Sequence, residues 1–218
     1  MVTAAPLQLR ITEIFHSLQG ESRSSGFPTV FVRLTGCPLR CSYCDTEYAF
    51  TGGEWWDLPT ILSEVEVYQP HYVCVTGGEP LSQKGVLPLL TALCDAGYRV
   101  SLETNGALDI SQVDKRVSRI VDLKTPGSTE SAKNNYANID LLTANDQVKF
   151  VICDEADYRW SCEQLVKYAL TERCEVLFSP VHERQDAVAL AEWILQDRLT
   201  VRFQLQLHKI LWGEQPGC

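Results

Sequence analysis

Residues 29–46 read TVFVRLTGCPLRCSYCDT. The first six, TVFVRL, are rich in β-branched and aromatic side chains, the composition of a strand. They run directly into a loop that carries Cys37, Cys41 and Cys44. A short helix is expected over 58–68, and the order strand, loop, helix then recurs. Residues 71–76 (HYVCVT) end in GGEP, and Val86, Leu89, Leu90 and Leu93 follow at i, i+3, i+4 and i+7, one face of an amphipathic helix. Residues 98–103 (YRVSLE) end in TNG, and 118–124 (SRIVDLK) end beside TPG. Residues 147–153 (QVKFVIC) precede a helical stretch with Leu165, Val166, Ala169 and Leu170. Residues 174–179 (CEVLFS) precede a stripe of Ala187, Leu190, Ala191 and Ile194, and a last strand is expected over 201–207 before a polar tail. Such alternation predicts an α/β fold with a parallel sheet and right-handed crossovers. Six units are fewer than the eight of a closed barrel, so an open barrel and a doubly wound sheet both fit.

The chain has 218 residues, 45% apolar and 22% charged, which suits a globular protein with one core of ordinary size. No repeat or linker divides it, so a single domain over 1–218 is expected. Its formal net charge of −9 lacks the footprint of a nucleic-acid binder. No apolar run reaches the length of a membrane span. The opening MVTAAPLQLRITEIF has no basic-then-apolar layout of a secretory signal, so a cytoplasmic chain is expected. Nine cysteines in a reducing compartment call for metal ligation or quiet burial, since stable disulfides are rare there.

CPLRCSYCDT, TGGEP, ETNG, DLKTPG and SPVHE each follow an expected strand. The carboxyl ends of parallel strands form the ligand-binding rim of such folds, so these segments read as one site. Cys37, Cys41 and Cys44 converge within eight residues, and Fe–S clusters are held by such thiolates. Three thiolates leave one iron of a 4Fe–4S cluster open to an exchangeable ligand. The alternative is a structural zinc site completed by a distant His or Cys, as in a non-catalytic binding module. Two glycines after a strand can equally mark a tight turn.

The cysteine spacing with Tyr43 before the third cysteine, and TGGEP at 76–80, resemble the signatures of the radical S-adenosylmethionine superfamily. The resemblance narrows through ITEIFHSLQGES, the 26–28 GFP, VFVRLTGCPLRCSYCDTEY, VTGGEPL, LETNG, VDLKTPGS, VKFVI, LFSPV and QLHK. Together these are similar to 7-carboxy-7-deazaguanine synthases, enzymes of 7-deazapurine (queuosine) biosynthesis. That likeness implies an incomplete (β/α)6-type barrel and a homodimer. It implies a carbon–nitrogen lyase that turns 6-carboxy-5,6,7,8-tetrahydropterin into 7-carboxy-7-deazaguanine and ammonia, with a 4Fe–4S cluster, S-adenosylmethionine and Mg²⁺. An adenosyl radical would take hydrogen from the pterin carbon that bears the carboxylate, and the ring would contract. An electron donor such as flavodoxin or ferredoxin is implied as well.

By position, the resemblance puts cluster ligands on Cys37, Cys41 and Cys44 and the Mg²⁺ ligand on Thr46. Substrate contacts fall on Leu18, Gln19, Gly20, Glu21, Arg33 and Thr76. S-adenosylmethionine contacts fall on Tyr43, Gly78, Glu103, Asn105, Asp122, Leu123, Lys124, Ser179, Pro180 and Val181. The residue types suit these roles: an amide both donates and accepts, a guanidinium forks onto a carboxylate, and a hydroxyl is a hard oxygen donor for Mg²⁺. A substrate-binding segment about 8–28, a cluster loop 36–50, a core 29–207 and a tail 208–218 follow.

The tail ILWGEQPGC departs from the family pattern, and residues 126–145 carry no functional reading. Cys74, Cys94, Cys153, Cys162 and Cys174 are expected to be packing residues and Cys218 a mobile end. His16, His71 and His182 are expected to pack or hydrogen-bond; His208, within QLHK, invites a closer role. A glycyl-radical-enzyme activase is the enzymatic alternative, since it would share cluster and cofactor.

Overall fold

The computed structural model describes residues 7–213, 215 and 217. The chain opens with strands β1 (Gln8–Leu18), β2 (Pro28–Leu34) and β3 (Glu54–Asp57), then helix α1 (Leu58–Val67). Next come β4 (Tyr72–Gly77), α2 (Val86–Asp95), β5 (Arg99–Thr104), β6 (Ser118–Asp122) and β7 (Gln147–Ile152). It closes with α3 (Glu155–Tyr168), α4 (Leu170–Arg173), β8 (Glu175–Pro180), α5 (Ala187–Gln196), β9 (Arg202–Phe203) and α6 (Leu207–Trp212). Cys218 lies outside the described residues.

One sheet holds all nine strands in the order β3-β1-β2-β4-β5-β6-β7-β8-β9. β3 joins the far edge beside β1, while from β2 through β4 to β9 every neighbouring pair is parallel and each strand from β4 on adds on the same side. A doubly wound sheet reverses its strand order at a switch point. No reversal occurs among the parallel strands, so the open barrel is the correct alternative.

Three expectations are corrected. The sheet is not wholly parallel, because β1 pairs antiparallel with both β2 and β3. Only nine residues separate β1 from β2, too few for the crossover that parallel neighbours need. Second, helices do not cover every crossover: no α-helix stands between β5 and β6, and between β6 and β7 the chain forms only short 3₁₀ turns. Third, the strand expected over 201–207 shrinks to Arg202–Phe203, and Leu207 begins a helix. The alternation VRFQLQL looks like a strand, but Gln204 Oε1 accepts from Ser22 N at 2.9 Å and Leu207 N donates to Gly20 O at 3.0 Å. Gln204 N still donates to Phe178 O of β8 at 3.0 Å, and the segment leaves the ladder beyond it, where Leu207 turns to Gly20.

Helix α2 behaves as its periodicity dictates: Val86, Leu89, Leu90 and Leu93 are all buried. On α5, Leu190 and Ile194 are buried. The stretch with Leu165 and Leu170 breaks at Ala169, whose φ of 48° is left-handed. That break turns the chain between the two residues, both of which are buried, and leaves Val166 84% exposed. No helix of the described residues is long and apolar enough to cross a membrane.

Candidate active site

Side chains of a strand alternate between its two faces. In β2, Val30, Val32 and Leu34 join the apolar core, while Phe31 and Arg33 face a cavity. In β7, Val148, Phe150 and Ile152 join the core, and Lys149 and Val151 face the cavity. In and just past β6, Val121 and Leu123 are core, and Ile120, Asp122 and Lys124 line the cavity. The open barrel therefore turns a polar inner face onto one space of ≈ 510 Å³. That volume is within the range of small-molecule sites.

Cys37, Cys41 and Cys44 line one part of this cavity. Their loop is braced from three directions. Gly36 N donates to Ala49 O at 2.7 Å, and the Arg40 guanidinium donates to the carbonyls of Cys37 and Leu39 at 2.8 and 2.6 Å. From the 126–145 segment, Glu130 accepts from Arg40 N at 2.6 Å, and the carbonyls of Gly127 and Ser128 accept from Ser42 Oγ and N at 2.7 and 3.1 Å. The segment without a sequence reading is thus the buttress of the cysteine loop. Asn105 Nδ2 lies 3.7 Å from Cys37 Sγ, placed to donate to it.

Glu79, the acid of TGGEP, is fully buried and clamps the rim. Its carboxylate accepts from Leu81 N at 2.9 Å, Asn105 N at 2.6 Å and Thr104 Oγ1 at 2.9 Å. Gly78 packs so tightly that a Cβ there would collide with the Gly36 carbonyl and Cys37 Cβ. The two glycines serve both as a turn and as the surface against which the cysteine loop rests.

A chain of buried charges runs along the inner face. Lys149 Nζ stands 2.7 Å from Glu21 Oε2 and 4.0 Å from Asp122 Oδ2. Lys124 Nζ donates to Asp122 Oδ2 at 2.8 Å and sits 5.6 Å from the centre of the Tyr43 ring. Burial pushes Glu21 up, but Lys149 outweighs it and holds the carboxyl well below its ordinary range. Burial pushes Glu103 above its ordinary value, because Lys149 and Arg33 only partly offset it and Glu21 repels it. Gln19 Nε2 and Thr76 Oγ1 both reach Glu103 at 3.5 Å. Glu103 thus stands among the residues expected to touch substrate. Arg33 binds Glu13 through Nε at 2.6 Å, with Phe15 and Tyr48 beside the guanidinium.

The C-terminal turn closes this end. Gln206 Nε2 donates to Glu21 Oε1 at 2.9 Å and to Asp45 Oδ2 at 3.3 Å. His208 packs on Gly20 so closely that a Cβ at Gly20 would overlap its ring.

Of the expected site residues, Leu18, Gln19, Gly20, Glu21, Arg33, Tyr43, Thr46, Thr76, Gly78, Glu103, Asn105, Asp122, Lys124, Ser179 and Val181 all line the cavity with the three cysteines. Leu123 and Pro180 do not line it: strand alternation turns them away between neighbours that do. Lys149, Gln206, Asp45 and His182 line it without a role there having been expected, and His208, singled out within QLHK, lines it too. Lys149 had a visible signal, a lone charge inside the apolar run QVKFVIC. Among the other cysteines, Cys74, Cys153 and Cys174 are buried and Cys94 and Cys162 half-buried, all with free thiols.

Comparison with known proteins supplies the family. The radical SAM superfamily matches residues 31–177. A 7-carboxy-7-deazaguanine synthase from Chlorobaculum tepidum is 44% identical over 216 residues, covering 98% of this chain and 97% of that protein. One from Koribacter versatilis is 41% identical, covering 94% and 97%. The chain belongs to the 7-carboxy-7-deazaguanine synthases of the radical SAM superfamily. The crystal structure of QueE from Escherichia coli shares the fold at a TM-score of 0.76 and 22% identity, covering 92% of this chain and 95% of that one.

The residues of this radical SAM chain fit the groups that its family implies. Burial raises the Cys41 thiol to about 11, Lys124 relieves it in part, and Asp122 and the other two cysteines oppose ionisation. A bound metal's positive charge ionises such thiols by releasing their protons. Among the described residues no three His, Cys, Asp or Glu gather tightly enough for a single ion. Two buried polar atoms on the cavity wall, Tyr43 Oη and Asp122 Oδ1, have no hydrogen-bond partner. Buried polar groups are rarely left so, and a nucleoside offers the complementary hydroxyls and ring nitrogens.

Proposed function

We infer that this chain is a radical S-adenosylmethionine lyase that converts 6-carboxy-5,6,7,8-tetrahydropterin to 7-carboxy-7-deazaguanine with loss of ammonia, in queuosine biosynthesis. The observation that carries the reading is that the cysteine loop and the Gln19, Glu21 and Arg33 set share one cavity. When bound, the cluster supplies the electron that cleaves S-adenosylmethionine. The protein's part is to bind, orient and exclude water.

Cys37, Cys41 and Cys44 would hold the cluster, with Asn105 as a donor to the Cys37 sulfur. Tyr43, Asp122 and Lys124 would form the wall for the adenosyl group, and Gly78, Ser179 and Val181 would complete it. Gln19, Glu21 and Arg33 would take the pterin. Glu21 retains lone pairs for the pterin's amino and ring N–H groups, and the Arg33 outer nitrogens suit its carboxylate. Leu18, Gly20 and Thr76 shape the same end.

Thr46 would supply an oxygen to Mg²⁺, with water and substrate as further ligands. Its hydroxyl makes no cap bond to the turn that follows and donates to Asp45 Oδ1 at 2.8 Å, so its lone pairs are available. A homodimer and a flavodoxin- or ferredoxin-type reductant complete the proposal; light scattering of the purified protein tests the dimer.

The decisive experiment is anaerobic. Reconstituted protein is mixed with 6-carboxytetrahydropterin, S-adenosylmethionine, Mg²⁺ and a reductant, and products are read by mass spectrometry. The deazaguanine acid is expected. Protein loaded with iron and sulfide that yields none would overturn the assignment.

A further inference from the structure

Lys149 has no role in the reading above, yet it touches both ends of the cavity. Its side chain is buried in the inner face of β7. Glu21, at the end expected to hold the pterin, is 2.7 Å from its Nζ; Asp122, at the end expected to hold the adenosyl group, is 4.0 Å away. Glu103 is the third acid whose charge acts on it. Beyond Asp122 the contacts continue to Lys124 and the Tyr43 ring. At that end Asp122 Oδ1 and Tyr43 Oη are the buried atoms still without partners.

One ammonium shared between two carboxylates in a low-dielectric site responds to a change at either. A pterin that donates to Glu21 weakens that carboxylate's pull on Lys149. The ammonium then moves its weight toward Asp122, which changes how firmly Asp122 holds Lys124 beneath the adenosyl wall. We propose that Lys149 is a positioning residue that couples pterin binding to S-adenosylmethionine binding through its ion pairs with Glu21 and Asp122. The inference rests on the proposed function for the identity of the two ligands. Its consequence is that cofactor and substrate fit best together, so cleavage without product formation is suppressed.

The test uses cluster-loaded wild type, Lys149→Met and Lys149→Arg. S-adenosylmethionine affinity is measured with and without saturating 6-carboxytetrahydropterin, and the ratio of 5′-deoxyadenosine to deazaguanine product is followed during turnover. In wild type the pterin should tighten the cofactor by ~5-fold or more, the low end of ordinary site-to-site couplings. In Lys149→Met the factor should fall to near one, with 5′-deoxyadenosine formed in excess; Lys149→Arg should restore part of both. Uncoupled wild-type ligands, or a Lys149→Met protein with the wild-type factor, overturn the inference. If Lys149→Met does not fold, Lys149→Gln, which keeps a donor near Glu21 without the charge, takes its place in the same measurement. There the factor must again be near one. Wild type that couples the two ligands but makes no deazaguanine would strike the proposed reaction instead, because binding is read without turnover.

Discussion

Cys41 has a thiol that resists ionisation, and the three cysteines crowd one another's charge. If they hold the proposed cluster, iron would have to displace the protons as it assembles. Replacing Cys41 by Ala should abolish bound iron, labile sulfide and turnover together; iron and sulfide assays on anaerobic protein check this, and a variant that keeps its cluster contradicts the ligand assignment. Gly78 makes a second test. An added methyl meets backbone and a cysteine Cβ rather than a flexible side-chain end. Gly78→Ala should cost about 1–3 kcal/mol by overpacking and should loosen the cysteine loop. Thermal unfolding and cluster retention on a desalting column read the two effects separately.

Between elements, a buried ion pair away from the cavity joins β6 to the start of β7. Asp146, fully buried, accepts from Arg119 N, Nε and Nη2 at 3.0, 2.9 and 2.6 Å and from Thr143 N and Oγ1 at 2.8 and 2.9 Å. Burial alone would raise its carboxyl, but these donors pull it below its ordinary value. A carboxyl depressed in the fold stabilises above its unfolded pKa of about 3.9, and that stability drains as pH falls through the lower folded value. Asp146→Asn should cost about 3–5 kcal/mol at neutral pH, because Arg119 is left buried without its counter-charge. Urea unfolding at pH 7 and pH 3 checks both parts: the gap between wild type and variant should narrow at the acid end. The elements also differ in how far sequence revealed them. Helix α2 is a single uninterrupted stripe and was readable; the break at Ala169 was not, since no Gly or Pro marks it.

For the whole molecule, the open barrel makes a cavity whose wall draws on residues far apart in the chain, from Phe15 to Lys209. Cluster and Mg²⁺ are proposed to occupy separate ligands, and removal of one should spare the other. Treatment with a chelator that strips Mg²⁺ should slow turnover while the cluster's visible absorption persists, and added Mg²⁺ should restore the rate. Thr46→Val should raise the Mg²⁺ concentration needed for half-maximal turnover about tenfold, as expected for loss of a first-sphere contact worth ~1.4 kcal/mol. An unchanged Mg²⁺ requirement would remove Thr46 from that role.

Residue order alone determined the spacing of the three cysteines, the run of parallel strands and most of the rim, because residue spacing and strand or helix periodicity are local properties. Alternation says that two faces exist; it does not say which side chains from distant strands will meet. Lys149 finds Glu21 across 128 positions, and Gln206 finds Glu21 across 185. The antiparallel start, the single winding of the sheet and the brace from 126–130 were likewise decided by packing in three dimensions. A charge inside an apolar strand announces that it needs a partner, and only the closed fold names it.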